Sequence, residues 1–172
     1  MTATAPERTI PRLKQRYRDD PGAALITLAA SGALGGDTPS CSVETGRALV
    51  RAGLHPATGG DGTLACSGDM LLQALVACAG VTLSAVATAL GIELRRGEVR
   101  AEGDLDFRGT LGVSRETPVG FQAIRLHFDL DTDAPGEQVA KLLQLTERYC
   151  VVLQTLRQPP AVTASHRVVA GG

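Results

Sequence analysis

The sequence predicts an α+β domain in which antiparallel strands cluster around two helices. Apolar and charged residues alternate with a period of two in "GEVRAEGDLDF" and "FQAIRLHFDL", a pattern typical of strands with one buried face. The segment from Met70 to Ile92 contains no charged residue and is long enough for about six helical turns. In "GEQVAKLLQLTERY" the apolar residues recur at helical spacing. Groups of strands separated by helices in this way define the α+β class.

The N-terminal region is expected to be separate from the domain. Residues 1–23 predict a tail with a short charged helix, "LKQRYRDD", that ends before Pro21. Residues 24–172 are expected to form a single domain, because a chain of 172 residues is too short for two domains of ordinary size. The first residues lack the apolar core of a secretory signal, so we expect a cytoplasmic protein.

The first half of the domain is predicted to hold two strands, a loop and the long helix. The strands are "AALITLAASG" and "SCSVETGRALVRAG", with "ALGGDTP" as the turn between them. The Gly-rich stretch "LHPATGGDGTLACSG" predicts a loop, and it lacks the Gly-Lys-Ser/Thr ending of a phosphate-binding loop. The helix is expected to begin with a cap at Ser67, to carry Asp69 near its positive end and to stop at Gly91.

The two alternating segments are predicted to form an antiparallel hairpin through the linker "RGTLGVSRETPVG". Their apolar residues define the buried face: Val99, Ala101, Leu105, Phe107, Ile124, Leu126, Phe128 and Leu130. The second helix follows over residues 136–149, and "CVVLQTLR" either continues it or starts a new one. The stretch "PPAVTASHRVV" predicts a closing strand.

Composition excludes several classes of function. A formal net charge of -1, 3% aromatic residues and no basic run argue against a nucleic-acid partner. The four cysteines form no C-x-x-C motif and the three histidines lie far apart, so no metal site is expected. The uncharged helix is long enough to span a bilayer. It is rich in alanine and interrupted by polar residues, so we expect a soluble core helix and no membrane partner.

Cys78 lies in the middle of that helix, and two interpretations are open. Free cysteine is often a small buried hydrophobe. A reactive Cys78 needs a nearby cation, because burial raises the pKa of a thiol and this position is far from the N-terminus of its own helix. Cys66, where the helix begins, is an alternative reactive thiol, while Cys41 is expected to be structural. From the sequence alone Cys150 is an ordinary buried thiol.

Two segments resemble the signatures of the OsmC/Ohr family. In that family a Gly-rich loop leads into a helix with an early acidic residue and a later cysteine, as in "GGDGTLACSGDMLLQALVACAGVTL". A second cysteine opens a helix near the C-terminus, as in "LTERYCVVLQTL". The resemblance extends from Ala24 onward and the order of elements agrees. It implies antiparallel sheets packed around a long central helix in an intertwined homodimer.

The resemblance also implies a chemistry. Family members studied as enzymes reduce hydroperoxides with a pair of cysteines and need no metal or organic cofactor. By position, Cys78 matches the cysteine that attacks the peroxide, and Cys150 matches the one that resolves the sulfenic acid as a disulfide. A dithiol reductant such as a lipoyl protein then reduces that disulfide. An apolar pocket beside Cys78 would favour organic hydroperoxides.

One departure from the peroxidase pattern concerns an arginine. In those members a helix Glu holds an Arg that in turn holds the thiolate. Asp69 is the nearest acidic match to that Glu. Its alternative role is a favourable interaction with the positive end of the helix dipole. "ASGALGG" lacks the Arg that follows Gly-Gly, so the candidates are Arg47 and an Arg of "RYR", and the alternative for Arg47 is a solvated charge. The departure favours a second hypothesis, a non-peroxidase that binds a small apolar or thiol-bearing molecule in the dimer-interface pocket.

Overall fold

A computed structural model of the chain describes Asp19 and residues 32–34, 40–44 and 49–168. The predicted N-terminal tail and short helix lie outside the described residues, apart from Asp19. Most of the strand predicted in "AALITLAASG" also lies outside them.

The first sheet has four strands in the order β1-β2-β3-β4. They are β1 (Gly32–Leu34), β2 (Ser40–Glu44), β3 (Leu49–Gly53) and β4 (Ala65–Cys66). The first three pair antiparallel and β4 runs parallel to β3, so the sheet is mixed. The segment "SCSVETGRALVRAG" was predicted as one strand and forms two, with Ser40 opposite Gly53. The sequence Thr45-Gly46 between them is a turn signal that the prediction did not weigh.

The Gly-rich loop between β3 and β4 is anchored at its start. A 3₁₀ turn covers Pro56–Thr58, and Nδ1 of His55 accepts a hydrogen bond from the backbone N–H of Ala57 at 3.0 Å. The His55 ring stacks on Phe107 with centroids 5.0 Å apart. This contact ties the loop to the segment around Phe107, at the end of the first of the two alternating segments.

The long helix α1 spans Ser67–Leu90. Its N-cap is Cys66, without a side-chain cap, so the prediction of a Ser67 cap is wrong. Cys66 still has the extended backbone of β4, and the chain passes directly from strand to helix. Asp69 lies in the first turn, and Gly91 ends the helix in the left-handed conformation at φ 66, both as predicted. By length and composition alone α1 could cross a membrane.

The second sheet is the predicted antiparallel hairpin of β5 (Arg96–Asp104) and β6 (Ala123–Asp131). Its inner face holds the predicted apolar positions from Val99 to Ala101 on β5 and from Ile124 to Leu130 on β6. Leu105 and Phe107 were predicted on β5 and lie beyond its end. Asp106 accepts a hydrogen bond from the N–H of Arg108 and caps a short helix, α2 (Phe107–Thr110), that ends the extended chain.

Two further helices complete the described fold. Helix α3 spans Gly136–Tyr149, as predicted, and α4 (Val151–Arg157) is a new helix. Cys150 between them has an extended backbone at φ -71 and ψ 106. The closing strand predicted in "PPAVTASHRVV" is wrong, because residues 158–168 are exposed and have no regular secondary structure. The two prolines cannot donate ladder hydrogen bonds, and no described strand pairs with this segment.

Helix α1 is the centre of the packing. It contacts α3, α4, β4 and β5. A stripe of every fourth residue on α1 is buried: Leu75, Ala79, Leu83 and Ala87. Leu83 and Ala87 join Leu142 in one core cluster, and Leu75 and Ala79 join Cys150 in another. The candidate site lies in the second cluster.

Candidate thiol site

Two cysteines that are far apart in the sequence lie together in the structure. Cys78 is half-buried in the middle of α1, and Cys150 is fully buried at the break between α3 and α4. The two cysteines belong to one packed cluster, and each thiol shifts the pKa of the other. Leu75 and Ala79, on the same face of α1, pack against Cys150 and complete the contact. The structure therefore brings together the two cysteines that the resemblance had paired.

The break at Cys150 is held by hydrogen bonds on both sides. The N–H of Cys150 bonds to the carbonyl of Thr146, and its carbonyl accepts from the N–H of Gln154, each at 2.9 Å. The side-chain amide of Gln154 donates to the carbonyl of Glu147 at 2.7 Å, and Arg157 pairs with the Glu147 carboxylate at 2.8 Å. These contacts fix the angle between α3 and α4. They therefore also fix the position of the first N–H groups of α4.

Two of those N–H groups, of Val151 and Val152, act on the Cys78 thiol. Burial alone raises the pKa of Cys78. Hydrogen bonds from the backbone N–H of Val152, the Cys150 thiol, the N–H of Val151 and the Thr82 hydroxyl lower it, and their combined effect is a pKa below the ordinary thiol value. No cationic side chain of the described residues is among these contributions. Among the described groups, two N–H groups at the start of α4 contribute to this lowering of the pKa.

Cys150 shows the opposite shift. Burial raises its pKa above the ordinary thiol value, and the neighbouring Cys78 raises it further. The N–H groups of Leu153 and Val152 offset only part of this. Cys78 therefore ionises first, while Cys150 remains a protonated donor to it. A thiolate beside a protonated thiol is an arrangement that supports thiol–disulfide chemistry, since the thiolate is the attacking species.

A cleft of about 350 Å³ lies against the same cluster. Leu75, one turn before Cys78, lines it together with residues of β6, of the segment just before β6, and of α3 and α4: Phe121, Gln122, Ala123, Ile124, Leu126, Phe128, Glu147, Leu153, Leu156 and Arg157. Its volume is in the range of small-molecule sites. The Glu147–Arg157 ion pair, whose side chains are half-exposed, provides the charged groups of the lining.

The other predicted site residues are not part of this cluster. Asp69 is exposed nine residues before Cys78, which is about 13 Å along the helix axis. Within the described part of the chain Asp69 forms no ion pair. Arg47 lies outside the described residues. Cys66 is half-buried where α1 begins, away from the pair, and the backbone of Cys41 pairs with Ala52. No metal-binding group of side chains occurs among the described residues.

Sequence reasoning missed the groups that stabilise the Cys78 thiolate. The N–H donors of Val151 and Val152 depend on the new helix after Cys150, an alternative that the sequence left open. Thr82 was identified only as a polar interruption of the apolar helix. Its position four residues after Cys78 places the two on one helix face, and that spacing was the available signal.

Comparison with known proteins identifies the family. A family model described as OsmC-like protein matches residues 60–165, which is more than half of the chain. The matched region includes both cysteines of the pair, the hairpin and all of the described helices. The chain therefore belongs to the OsmC-like family. No curated protein matches the chain.

Solved structures show the same fold. An OsmC-like protein from Mycoplasma pneumoniae aligns with a TM-score of 0.64 at 18% identity, over 78% of this chain and 89% of its own. An organic hydroperoxide resistance protein from Legionella pneumophila aligns with a TM-score of 0.60 at 19% identity, over 78% and 91% of the two chains. The organic hydroperoxide resistance protein OhrB of Bacillus subtilis aligns with a TM-score of 0.52 at 20% identity, over 78% and 93%. At these identities the likeness establishes the α+β fold of the family.

Proposed function

We propose that this protein is a cysteine-based hydroperoxide reductase that acts through a Cys78 sulfenic acid and a Cys78–Cys150 disulfide. The observation that carries the proposal is the contact between Cys78, whose pKa is lowered, and the buried Cys150, whose pKa is raised. Such opposed shifts in one site are typical of groups with different roles in a reaction. Structural neighbours named organic hydroperoxide resistance proteins support the same class.

The proposed reaction has two steps. The Cys78 thiolate attacks the terminal oxygen of the hydroperoxide, the O–O bond breaks, and the leaving alkoxide takes up a proton to become an alcohol. Cys78 becomes a sulfenic acid. The Cys150 sulfur, losing its proton, then attacks the Cys78 sulfur, the S–O bond breaks, and water leaves as the disulfide forms. A dithiol reductant such as a lipoyl protein reduces the disulfide by thiol exchange and becomes a disulfide itself.

The proposed substrates are organic hydroperoxides. The cleft lined by Leu75, Leu126 and Phe128 offers apolar surface within one helical turn of Cys78. Burying an alkyl chain stabilises a complex by about 0.8 kcal/mol per CH₂. Hydrogen peroxide gains nothing from such a surface. An organic hydroperoxide should therefore be consumed at a higher kcat/KM than hydrogen peroxide.

The proposed acting form is a cytoplasmic homodimer. In the single chain the side of α1 opposite its buried stripe is exposed, with Ala74, Ala77 and Val81 on it. An apolar helix face of this length on the surface is typical of a protein interface. A second copy of the chain is the proposed cover.

The test is peroxide consumption by cysteine variants, with cumene hydroperoxide and a dithiol reductant. We expect Cys78→Ser to abolish turnover and Cys150→Ser to allow one oxidation before the sulfinic form accumulates. Cys66→Ser is the matched control, since Cys66 lies where the same helix begins but away from the pair, and this variant should retain wild-type turnover. Limited peroxide should give one intrasubunit Cys78–Cys150 disulfide by peptide mapping. Full turnover by Cys78→Ser would refute the proposal, and a Cys66–Cys150 bond would move the attacking thiol to Cys66.

A second candidate function is the binding of a small apolar or thiol-bearing molecule without turnover. The observation that favours it is the lack of a cationic side chain among the described groups that act on Cys78. A wild-type protein that consumes no peroxide but is stabilised in thermal unfolding by an alkyl thiol would support this function. The result expected from the peroxidase proposal is peroxide consumption above that of Cys78→Ser.

A further inference from the structure

Thr82 stands one helical turn after Cys78 and is half-buried. Its hydroxyl donates a hydrogen bond to the backbone carbonyl of Cys78 at 2.8 Å. Thr82 lies on the same helix face as the Cys78 side chain, and its hydroxyl lowers the pKa of the Cys78 thiol. A threonine hydroxyl has only one proton to donate. The carbonyl and the sulfur of one residue therefore compete for it.

We propose that Thr82 is a switchable donor to the reactive sulfur: its hydroxyl proton bonds to the Cys78 carbonyl when Cys78 is a thiol and to the sulfur when Cys78 is a thiolate. Thr82 thereby stabilises the attacking form of the nucleophile. The proposal rests on the proposed role of Cys78 as the attacking thiol. In this proposal a neutral side chain supplies part of the thiolate stabilisation that the family resemblance assigns to an arginine.

The switch is favourable because the carbonyl does not lose its last partner. In an α-helix the N–H of residue 82 bonds to the carbonyl of residue 78, and this bond remains when the hydroxyl turns away. A hydrogen bond to a charged acceptor is also stronger than one to a neutral carbonyl. Ionisation of Cys78 therefore makes the sulfur the better acceptor. When Cys150 loses its proton to attack, its thiol can no longer donate a hydrogen bond to Cys78. The Thr82 hydroxyl can still donate at that step.

Few other charged groups face Cys78 within the described chain. Cys150 is the titratable group in contact with it. The charged residues of the adjacent strand β5 are all exposed on the opposite face of the hairpin: Arg96, Glu98, Arg100, Glu102 and Asp104. On α3 and α4, Glu147 and Arg157 pair with each other. Between residues 70 and 92 helix α1 contains no charge. A change in Cys78 ionisation on altering Thr82 therefore reports the loss of one neutral donor.

The experiment compares Thr82→Val, which keeps volume and loses the hydroxyl, with Thr82→Ser, which keeps the hydroxyl. Thr88→Val is the matched control, because Thr88 on the same helix donates to the carbonyl of Ser84 at 2.9 Å, on an exposed face with no cysteine. The readout is the rate of Cys78 carbamidomethylation by iodoacetamide across pH, measured by mass spectrometry of the Cys78 peptide. Thermal unfolding checks that each variant is folded, and Thr82→Ala replaces Thr82→Val if that variant is not.

We expect Thr82→Val to slow Cys78 alkylation at pH 7 by about tenfold and to move its pH profile to higher pH. Thr82→Ser should restore the wild-type profile and Thr88→Val should not change it. A Thr82→Val profile equal to that of wild type would overturn the proposal, as would an equal shift in Thr88→Val. Alkylation does not require peroxide turnover. A wild-type protein without peroxidase activity would therefore refute the proposed function and leave this measurement valid.

Discussion

At the scale of single residues, the site depends in part on donors that come from outside the helix of its nucleophile. Cys78 is too far along α1 to gain from the dipole of its own helix. The N–H groups of Val151 and Val152 help to lower its pKa, because α4 begins directly after Cys150. Sequence reasoning predicted the pair of cysteines through family resemblance. It did not predict these donors, because backbone groups leave no residue-type signature.

The opposed pKa shifts predict a difference in alkylation between the two cysteines. Because the pKa of Cys78 is lowered, its thiolate fraction rises at lower pH than that of an ordinary thiol. Cys150 is the internal control for Cys78, since the pKa of Cys150 is raised and the Cys150 side chain is fully buried. In reduced folded protein at pH 7, iodoacetamide should modify Cys78 first and leave Cys150 largely unmodified. Peptide mass spectrometry over time measures this, and equal rates for the two cysteines would contradict the assigned shifts.

At the scale of elements, the sequence predicted those helices and strands that depend mainly on the local pattern of apolar residues. The hairpin of β5 and β6 has the predicted partners and the predicted buried face, because alternation alone specifies which side chains point inward. The closing strand was wrong because a strand also needs a partner edge, and no described strand pairs with residues 158–168. The predicted end of β5 is too late in the chain, because the apolar Phe107 continues the alternating pattern. In the structure Asp106 instead caps a short helix, and Phe107 stacks on His55.

Two glycines of β5 offer a test of the packing next to the cleft. A Cβ at Gly103 would lie 2.5 Å from the Phe121 ring, which lines the cleft, whereas a Cβ at Gly97 would lie 3.6 Å from Leu130. Gly103→Ala should therefore lower the free energy of unfolding by about 1–3 kcal/mol through overpacking. Gly97→Ala, on the same strand, should leave it nearly unchanged. Urea unfolding measures both, and equal midpoints for the two variants would show that Phe121 does not pack on Gly103.

At the scale of the whole molecule, helix α1 is covered on one side only within the described chain. Its buried stripe packs on the hairpin and on α3 and α4. The opposite side carries small residues and Val81, whose exposed fraction is 73%. Small side chains let two backbones approach closely, so this side suits a helix from a second copy. The family resemblance implies a dimer, but the sequence does not indicate which side of the helix remains uncovered.

That geometry predicts a dimer that one substitution can weaken. Val81→Arg places a charge in the centre of the proposed interface, where desolvating it without a partner is unfavourable by several kcal/mol. Val113→Arg is the matched control, because Val113 has the same exposed fraction, 73%, and lies in the linker between the hairpin strands.

In light scattering at micromolar concentration, wild type and Val113→Arg should give twice the 17.8 kDa chain mass. Val81→Arg should shift toward one chain mass while keeping its helical circular dichroism. A wild-type protein of one chain mass would refute the dimer, and a Val81→Arg variant that remains dimeric at low concentration would place the interface elsewhere.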